Sequence, residues 1–404
     1  MRGPIEAGSR LERRRWLALA AGVGMATALP GCGRQGGLVG MEYETWFTCI
    51  SPYGAPTLEN VPREADRQSA QLSGSAPALS LRQTDLAIAL AKATTAQACR
   101  PVNGWVGREA TPLLGTYRSS NPAVIRQHAA WLGGAGVDFL LIDWSNNLGN
   151  NWQNGVALGI MAATYNLAHT YTSIPHHPRL ALLLGLDQGK VTPRLQQQVD
   201  LLYDLLLRNP RLRTLYQEFL GKPLLGVFTG PRFVPPPTWD DKRFTVRWVN
   251  GFNETTHGNR YGYWSWIDRV PQVTYRGQAG KQGTVRTAEA VTVAAGYPGT
   301  GAPAGWLAAD AGPRRHGATY VKQWRTAFRV RPEVVLLCQW NEFAQPDQYD
   351  VERSNDMEPT ALDGHGVHGN GGWGHYYLDL TATMVHAFKA GRPQPHPVLN
   401  PARP

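Results

Sequence analysis

Charge, lysine and cysteine are all scarce in this 404-residue chain, and each scarcity excludes something. Charged residues make up 17% of it against 42% hydrophobic, too few for a disordered chain and compatible with a large buried core. Only Lys92, Lys190, Lys222, Lys242, Lys281, Lys322 and Lys389 are lysines among 40 basic residues. The basic residues are scattered, with no run longer than Arg13-Arg14-Arg15. A net charge of +10 without a basic stripe argues against nucleic-acid binding. Four cysteines cannot staple a chain of this length, so the fold must rest on burial. No apolar stretch reaches the roughly 20 residues that span a bilayer, and no fixed-period repeat is present. The chemical signatures of several classes are missing too. The only Gly-x-Gly of the leader, Gly22–Gly24, follows no strand, so a dinucleotide fold is unsupported. No Gly-x-Ser-x-Gly elbow follows a strand, and Cys338 has no evident catalytic partner. His365, His368 and His375 (in HGVHGNGGWGH) and His176-His177 lack the i, i+4 helical spacing of zinc proteases. They read as structural, and neither a metal nor a cofactor is expected.

What is present begins with an address. Arg13-Arg14-Arg15-Trp16-Leu17 opens an apolar stretch that ends at Leu29. A basic segment, a short apolar segment and small residues, in that order, make a secretory signal. The paired arginines resemble a twin-arginine export signal. Leu29-Pro30-Gly31-Cys32 resembles a bacterial lipoprotein box in which Cys32 is lipidated; cleavage after Ala26-Thr27-Ala28 is the alternative. The expected location is periplasmic or cell-surface, with the membrane reached by a lipid anchor only. Residues 1–31 are thus read as leader, 32–40 as a short linker, 41–390 as a single catalytic domain and 391–404 as a proline-rich, disordered tail. In an oxidising compartment Cys49 and Cys99 are free to pair, while Cys338 lies in an apolar run and reads as core.

The body of the chain repeats a short β-rich run that ends in polar or aromatic residues. The runs are 41–47 (MEYETWF), 137–143 (VDFLLID), 179–186 (RLALLLGL), 223–228 (PLLGVF), 245–250 (TVRWVN), 261–266 (YGYWSW), 290–294 (AVTVA) and 334–339 (VVLLCQ). Continuous apolar strands suit a parallel sheet covered on both faces. Eight of them with interspersed helices predict an α/β fold, an irregular (β/α)8 TIM barrel. Helices are predicted from Asn121-Pro122, over 192–207, and at 84–98 inside the long insertion 48–112. None is predicted between the fourth and seventh runs.

In such barrels the chemistry sits at the C-terminal ends of the strands. Those ends carry Tyr43, Glu44, Trp46 and Phe47; Asp143 and Trp144; Asp187; Trp248 and Asn250; Trp264 and Trp266; Tyr297; and Trp340, Asn341 and Glu342. Fourteen tryptophans is a high load. Any one of them is more readily a core residue, but so many at strand ends suit the flat C–H faces of sugars, with Asp, Asn and Glu for the hydroxyls. An oligo- or polysaccharide is therefore the expected partner. Asp143 and Asp187 read as hydroxyl-binding or orienting groups.

Residues 115–147 (GTYRSSNPAVIRQHAAWLGGAGVDFLLIDWSNN) resemble the second-strand region of enzymes related to family 99 of the glycoside hydrolases. The opening YETWF, the late Trp340-Asn341-Glu342-Phe343 and Asp356-Met357-Glu358-Pro359-Thr360 fit the same pattern. That family holds endo-acting α-mannosidases and α-mannanases. The resemblance implies a (β/α)8 barrel and retaining, endo-type cleavage of α-linked glycan through an anhydro-sugar formed by the substrate's 2-hydroxyl. It implies that Glu342 assists that hydroxyl, and places Gln345 and Glu358 in the substrate site. The family's second glutamate, its general acid/base, falls on Gln345, which can neither give nor take a proton. The insertion 346–355 (PDQYDVERSN) is rich in carboxylates, and Asp347 or Glu352 is the candidate for the missing acid; solvated loop charges are the other reading. A non-catalytic carbohydrate-binding lipoprotein on the same fold is the alternative to an enzyme.

Overall fold

The eight apolar runs are eight parallel strands, apolar on both faces because both faces are covered. The computed structural model describes residues 36–45, 113–114, 117–145, 155–186, 189–230, 237–251, 259–277, 287–297, 311–341, 355–360 and 373–399. The signal, Cys32, Cys49, Cys99, the predicted helix at 84–98, Trp46, Asp187, Glu342, Gln345, Asp347, Glu352, His365 and His368 lie outside these residues.

The strands are β1 (Leu38–Tyr43), β2 (Phe139–Trp144), β3 (Arg179–Gly185), β4 (Glu218–Phe219), β5 (Lys222–Phe228), β6 (Thr245–Asn250), β7 (Trp264–Ser265), β8 (Val273–Tyr275), β9 (Ala288–Ala294) and β10 (Val334–Cys338). In space they run β7-β6-β5-β3-β2-β1-β10-β9 in parallel, with β8 antiparallel on β9 and β4 antiparallel on β5. The eight parallel strands correspond one to one with the eight predicted runs. Together they form an irregular (β/α)8 barrel. β1 starts at Leu38, inside the stretch read as linker, and the sixth run contributes only the two residues of β7.

Two apolar clusters follow from the period-2 alternation of strand side chains. Val39, Met41, Tyr43, Leu140, Ile142, Leu182 and Leu337 face outward, in one cluster with helical residues such as Ile125, Leu132 and Trp324. Phe139, Leu141, Ala181, Leu183, Leu224, Ala290 and Leu336 fill the barrel interior. Gly40 is required there: a Cβ on it would stand 2.3 Å from the Phe139 ring.

The outer layer holds α1 (Pro122–Gly134), α2 (Gly155–Tyr171), α3 (Pro193–Leu202), the short α4 (Pro210–Arg213), α5 (Ala318–Val330) and α6 (Tyr376–Lys389). α1 starts as predicted: the Asn121 side chain accepts from the Ala123 amide and proline occupies the first turn. The predicted helix 192–207 is α3 continued by a π-helical turn at Tyr203–Leu207. Among the described residues no helix lies between β5 and β9. None of the described helices is long and apolar enough to cross a membrane. The proline-rich stretch after α6 has no regular structure, but Gln394 donates to the Val321 carbonyl at 2.7 Å and so pins it to α5.

The sheet closes by side chains. β7 pairs with β6 only at Val249 and Asn250, and no ladder joins β7 to β9 among the described residues. Instead the Thr292 hydroxyl of β9 donates to the Ser265 carbonyl of β7. Below β7, Arg247 of β6 reaches β9 with two hydrogen bonds to Glu289, at 2.6 and 2.9 Å. The Trp264 indole donates to the same carboxylate at 2.8 Å.

Candidate active site

The C-terminal end of the barrel is acidic, and strand geometry explains why. Outward positions of β1 are Val39, Met41 and Tyr43, so the alternate positions Gly40, Glu42 and Glu44 face inward. On β2 the same alternation sends Phe139, Leu141 and then Asp143 inward. The parallel register sets Glu42 beside Leu141, so Glu44 comes level with Asp143 one layer higher. All three carboxyls are buried; Asp143, at 8% exposure, is the most accessible.

Each acid has defined neighbours. Trp266, just past β7, donates its indole N–H to Glu42 Oε2 from across the interior, while Glu42 Oε1 has no hydrogen-bond partner among the described residues. Burial pushes the Glu42 carboxyl well above the usual range, and the Asp143 charge adds to this against opposing hydrogen bonds from Cys338 and Trp266. Glu44 Oε1 accepts from Gln339 Nε2 at 2.8 Å. Asp143 Oδ1 accepts from the Ser145 amide at 2.5 Å, and hydrogen bonding from Ser145 works to lower the carboxyl's pKa. Burial outweighs this and raises Asp143 above its ordinary value.

A second network fixes the chain where β10 ends. The Glu44 amide donates to Asn341 Oδ1 at 2.7 Å, and Asn341 Nδ2 returns a hydrogen bond to the Glu44 carbonyl at 3.1 Å. Asn341 also donates to the Tyr117 hydroxyl, which donates to Glu358 Oε2 at 2.6 Å. Glu358 Oε1 lies 3.0 Å from His128 Nε2, and His128 Nδ1 lies 2.8 Å from the Tyr43 hydroxyl. His128 shares the buried face of α1 with Val124, Ile125 and Leu132, so the helix delivers it behind β1 and β10. This relay fixes Asn341, the residue before Glu342 in the sequence.

The other strand-end residues are distributed as follows. Trp144, Trp264 and Trp340 are buried to 1% or less. Trp144 donates to Thr164 at 3.0 Å, and Trp340 packs on His128 and Trp131. Trp248 is half-buried against Trp239 on the outer face. Asn250 is buried and donates to Thr229 and the Gly230 carbonyl. Tyr43 and Glu358 belong to the relay. Tyr297 is half-buried, its ring over Gly312. Trp266 is half-buried with Phe228 edge-on at 5.0 Å, and it floors the acidic mouth. His375 packs edge-on against Trp131 and His177 bonds the Pro178 carbonyl, both as structural residues. No cluster of His, Cys, Asp and Glu among the described residues is arranged to hold a metal ion. Cys338 is a buried thiol that accepts from Asn355 Nδ2 at 3.3 Å and lies 3.5 Å from Gln339 Oε1. Sequence reasoning missed Glu42 and His128. For Glu42 a signal existed: two acids at alternate positions of an otherwise apolar strand must share one face.

No protein-family model and no curated protein sequence matches the chain. Among solved structures, a GH99 endo-alpha-mannosidase from Bacteroides thetaiotaomicron superposes with a TM-score of 0.53 at 14% identity, over 87% of this chain and 98% of that one. A GH99 endo-alpha-mannosidase of the same source in complex with BIS-TRIS-propane gives 0.48 at 15% identity, over 70% and 89%. A glycoside hydrolase-like protein gives 0.43 at 12% identity, over 68% and 88%. The first of these shows a shared barrel fold, which bears out the resemblance read from residues 115–147 at the level of architecture.

Proposed function

We propose that this chain is an exported, retaining endo-glycosidase acting on α-linked, α-mannosyl polysaccharide. The observation that carries the reading is the convergence of the buried Glu42, Glu44 and Asp143 at the end of the barrel where β10 leads into Asn341. Catalytic carboxyls in barrels of this kind sit at that end, and glycoside cleavage uses two of them about 5–10 Å apart. Glu342 takes the proton of the substrate's 2-hydroxyl as its oxygen attacks C1, and a second carboxyl protonates the leaving oxygen. The half-buried Trp266 offers a sugar ring an aromatic face at the floor of the mouth. Fold alone does not fix an activity; the acids are what favour hydrolysis.

The test is product release from a panel of α-mannans and other α-glycans by the mature protein and by Glu342→Gln. Oligosaccharides from the first and none from the second support the reading. Binding without release by either protein would replace it with the alternative that Gln345 suggests, a glycan-binding lipoprotein. Export through the twin-arginine signal and lipidation at Cys32 belong to the same proposal. A Cys32→Ala protein that still partitions with membranes would refute the anchor.

A further inference from the structure

We propose that the end of the barrel at which the strands begin is a docking face for an anionic phospholipid surface, with Leu220 at its tip and Arg179, Arg211, Arg213 and Lys222 as its cations. The inference rests on the export reading above for the membrane that the protein meets, and it uses no residue of the leader.

β4 and β5 form a hairpin at this end of the barrel. Phe219, the last residue of β4, is buried in the interior cluster with Trp264 edge-on at 5.8 Å. The Thr245 hydroxyl, where β6 starts, donates to the Phe219 carbonyl at 2.6 Å. The hairpin is therefore pinned beneath the barrel, and its turn faces out. Leu220 is 48% exposed there, with φ at 53°, and Gly221 follows with φ at 80°. A two-residue turn with both angles positive suits asparagine followed by glycine; the left-handed backbone is unfavourable for leucine. A Cβ on Gly221 would meet nothing within 4 Å, so the turn stands in open space. Backbone strain and apolar exposure thus meet at one side chain, the pattern of a residue that a partner covers.

The surroundings of this tip are cationic. Residues 208–222 hold Arg208, Arg211, Arg213 and Lys222 against the single acid Glu218. Arg179 joins them where β3 starts, its guanidinium 3.5 Å from the Tyr216 carbonyl. Arg208 is paired with Asp204. The other four cations are exposed, and none joins an ion pair among the described residues. Cations around one apolar tip match the layering of a membrane, with negative headgroups outside and acyl chains beneath. The eight parallel strands all lead from this end toward the acidic mouth, where Glu42, Glu44 and Asp143 lie. Docking here turns the mouth away from the bilayer, toward a polymer in solution.

The test floats the mature protein carrying Cys32→Ala, so that no acyl chain contributes, with vesicles of phosphatidylcholine alone or of phosphatidylcholine with phosphatidylglycerol. The protein should bind the mixed vesicles, and less tightly as salt is raised. Arg211→Gln with Arg213→Gln should lower that affinity about 30-fold, from about fivefold per cation. Leu220→Asn should lower it about fivefold and also raise resistance to urea, because asparagine suits the turn; that gain shows the fold intact. Equal binding to both vesicle types, binding to neither, or an affinity unchanged in either variant overturns the docking face. Binding to dextran sulfate without binding to vesicles assigns the cations to a soluble polyanion and overturns it as well. Export and anchoring are read separately, from membrane partitioning of the acylated chain, so either reading can fail alone.

Discussion

Replacing Glu42 by glutamine should stabilise the protein, and by an amount that grows with pH. The Glu42 side chain is 2% exposed, takes the Trp266 indole N–H on Oε2, and lies beside the Cys338 thiol and the Asp143 carboxyl. Burial therefore holds its native carboxyl protonated well above the unfolded value of about 4.3. Below that value both states are protonated and the group contributes no pH dependence. Above it the unfolded chain releases a proton that the native state retains, so stability falls by up to about 1.4 kcal/mol per pH unit until the native group also titrates. Glutamine is nearly isosteric and never titrates. As pH rises from 4, the difference between variant and wild type should drift in favour of glutamine for as long as the native carboxyl keeps its proton. Urea unfolding of the two proteins in parallel from pH 4 to 8 measures the drift, and the offset at pH 4 isolates the cost of the new amide. The Asp143 titration is common to both proteins and largely cancels. A difference that stays flat across this range would mean that Glu42 is ionised in the native state and that a cation balances it, which would overturn the account of the acidic mouth.

Two further outcomes follow from the geometry. Arg247→Met leaves the Glu289 carboxylate, 4% exposed, with the Trp264 indole as its remaining donor on this face; unfolding should cost about 3–5 kcal/mol less, and adding Glu289→Gln should recover most of the loss in chemical denaturation. Glu358→Ala removes the acceptor of Tyr117 and the partner of His128 and should destabilise by about 1–3 kcal/mol; a variant of wild-type stability in the same denaturation series would show that the relay is dispensable.

The barrel was legible because parallel strands covered on both faces need long apolar runs, and 139–144, 179–185 and 334–338 are such runs whatever lies between them. β7 was legible only as a place, since two residues cannot carry a pattern; the aromatic stretch around it marked the spot without giving its length. At the site, Asp143 and Asn341 were visible as polar residues that end apolar strands. Glu42 was not, because it lies inside its run and the eye passes to the end of it, although the alternation with Met41 and Tyr43 already assigned it to the interior. His128 and Glu358 are 230 residues apart, and nothing local in either segment announces a contact that only the closure of the barrel creates. The long predicted helix over 192–207 lost its regular turn at Tyr203, where leucines of the π turn are drawn into the outer cluster.

The side-chain closure between β7 and β9 has a consequence for breathing. A sheet opens most readily where no backbone ladder must be broken, and here that line carries the hydroxyl bond of Thr292 and the Arg247–Glu289 pair in place of a ladder. Trp266 stands one residue beyond β7, on the moving side of that line. Each excursion that unrolls the barrel there also lifts the indole off Glu42. The amide protons flanking the closure and the deepest acid of the mouth are thus exposed by one event, and they share a single clock for exchange with water.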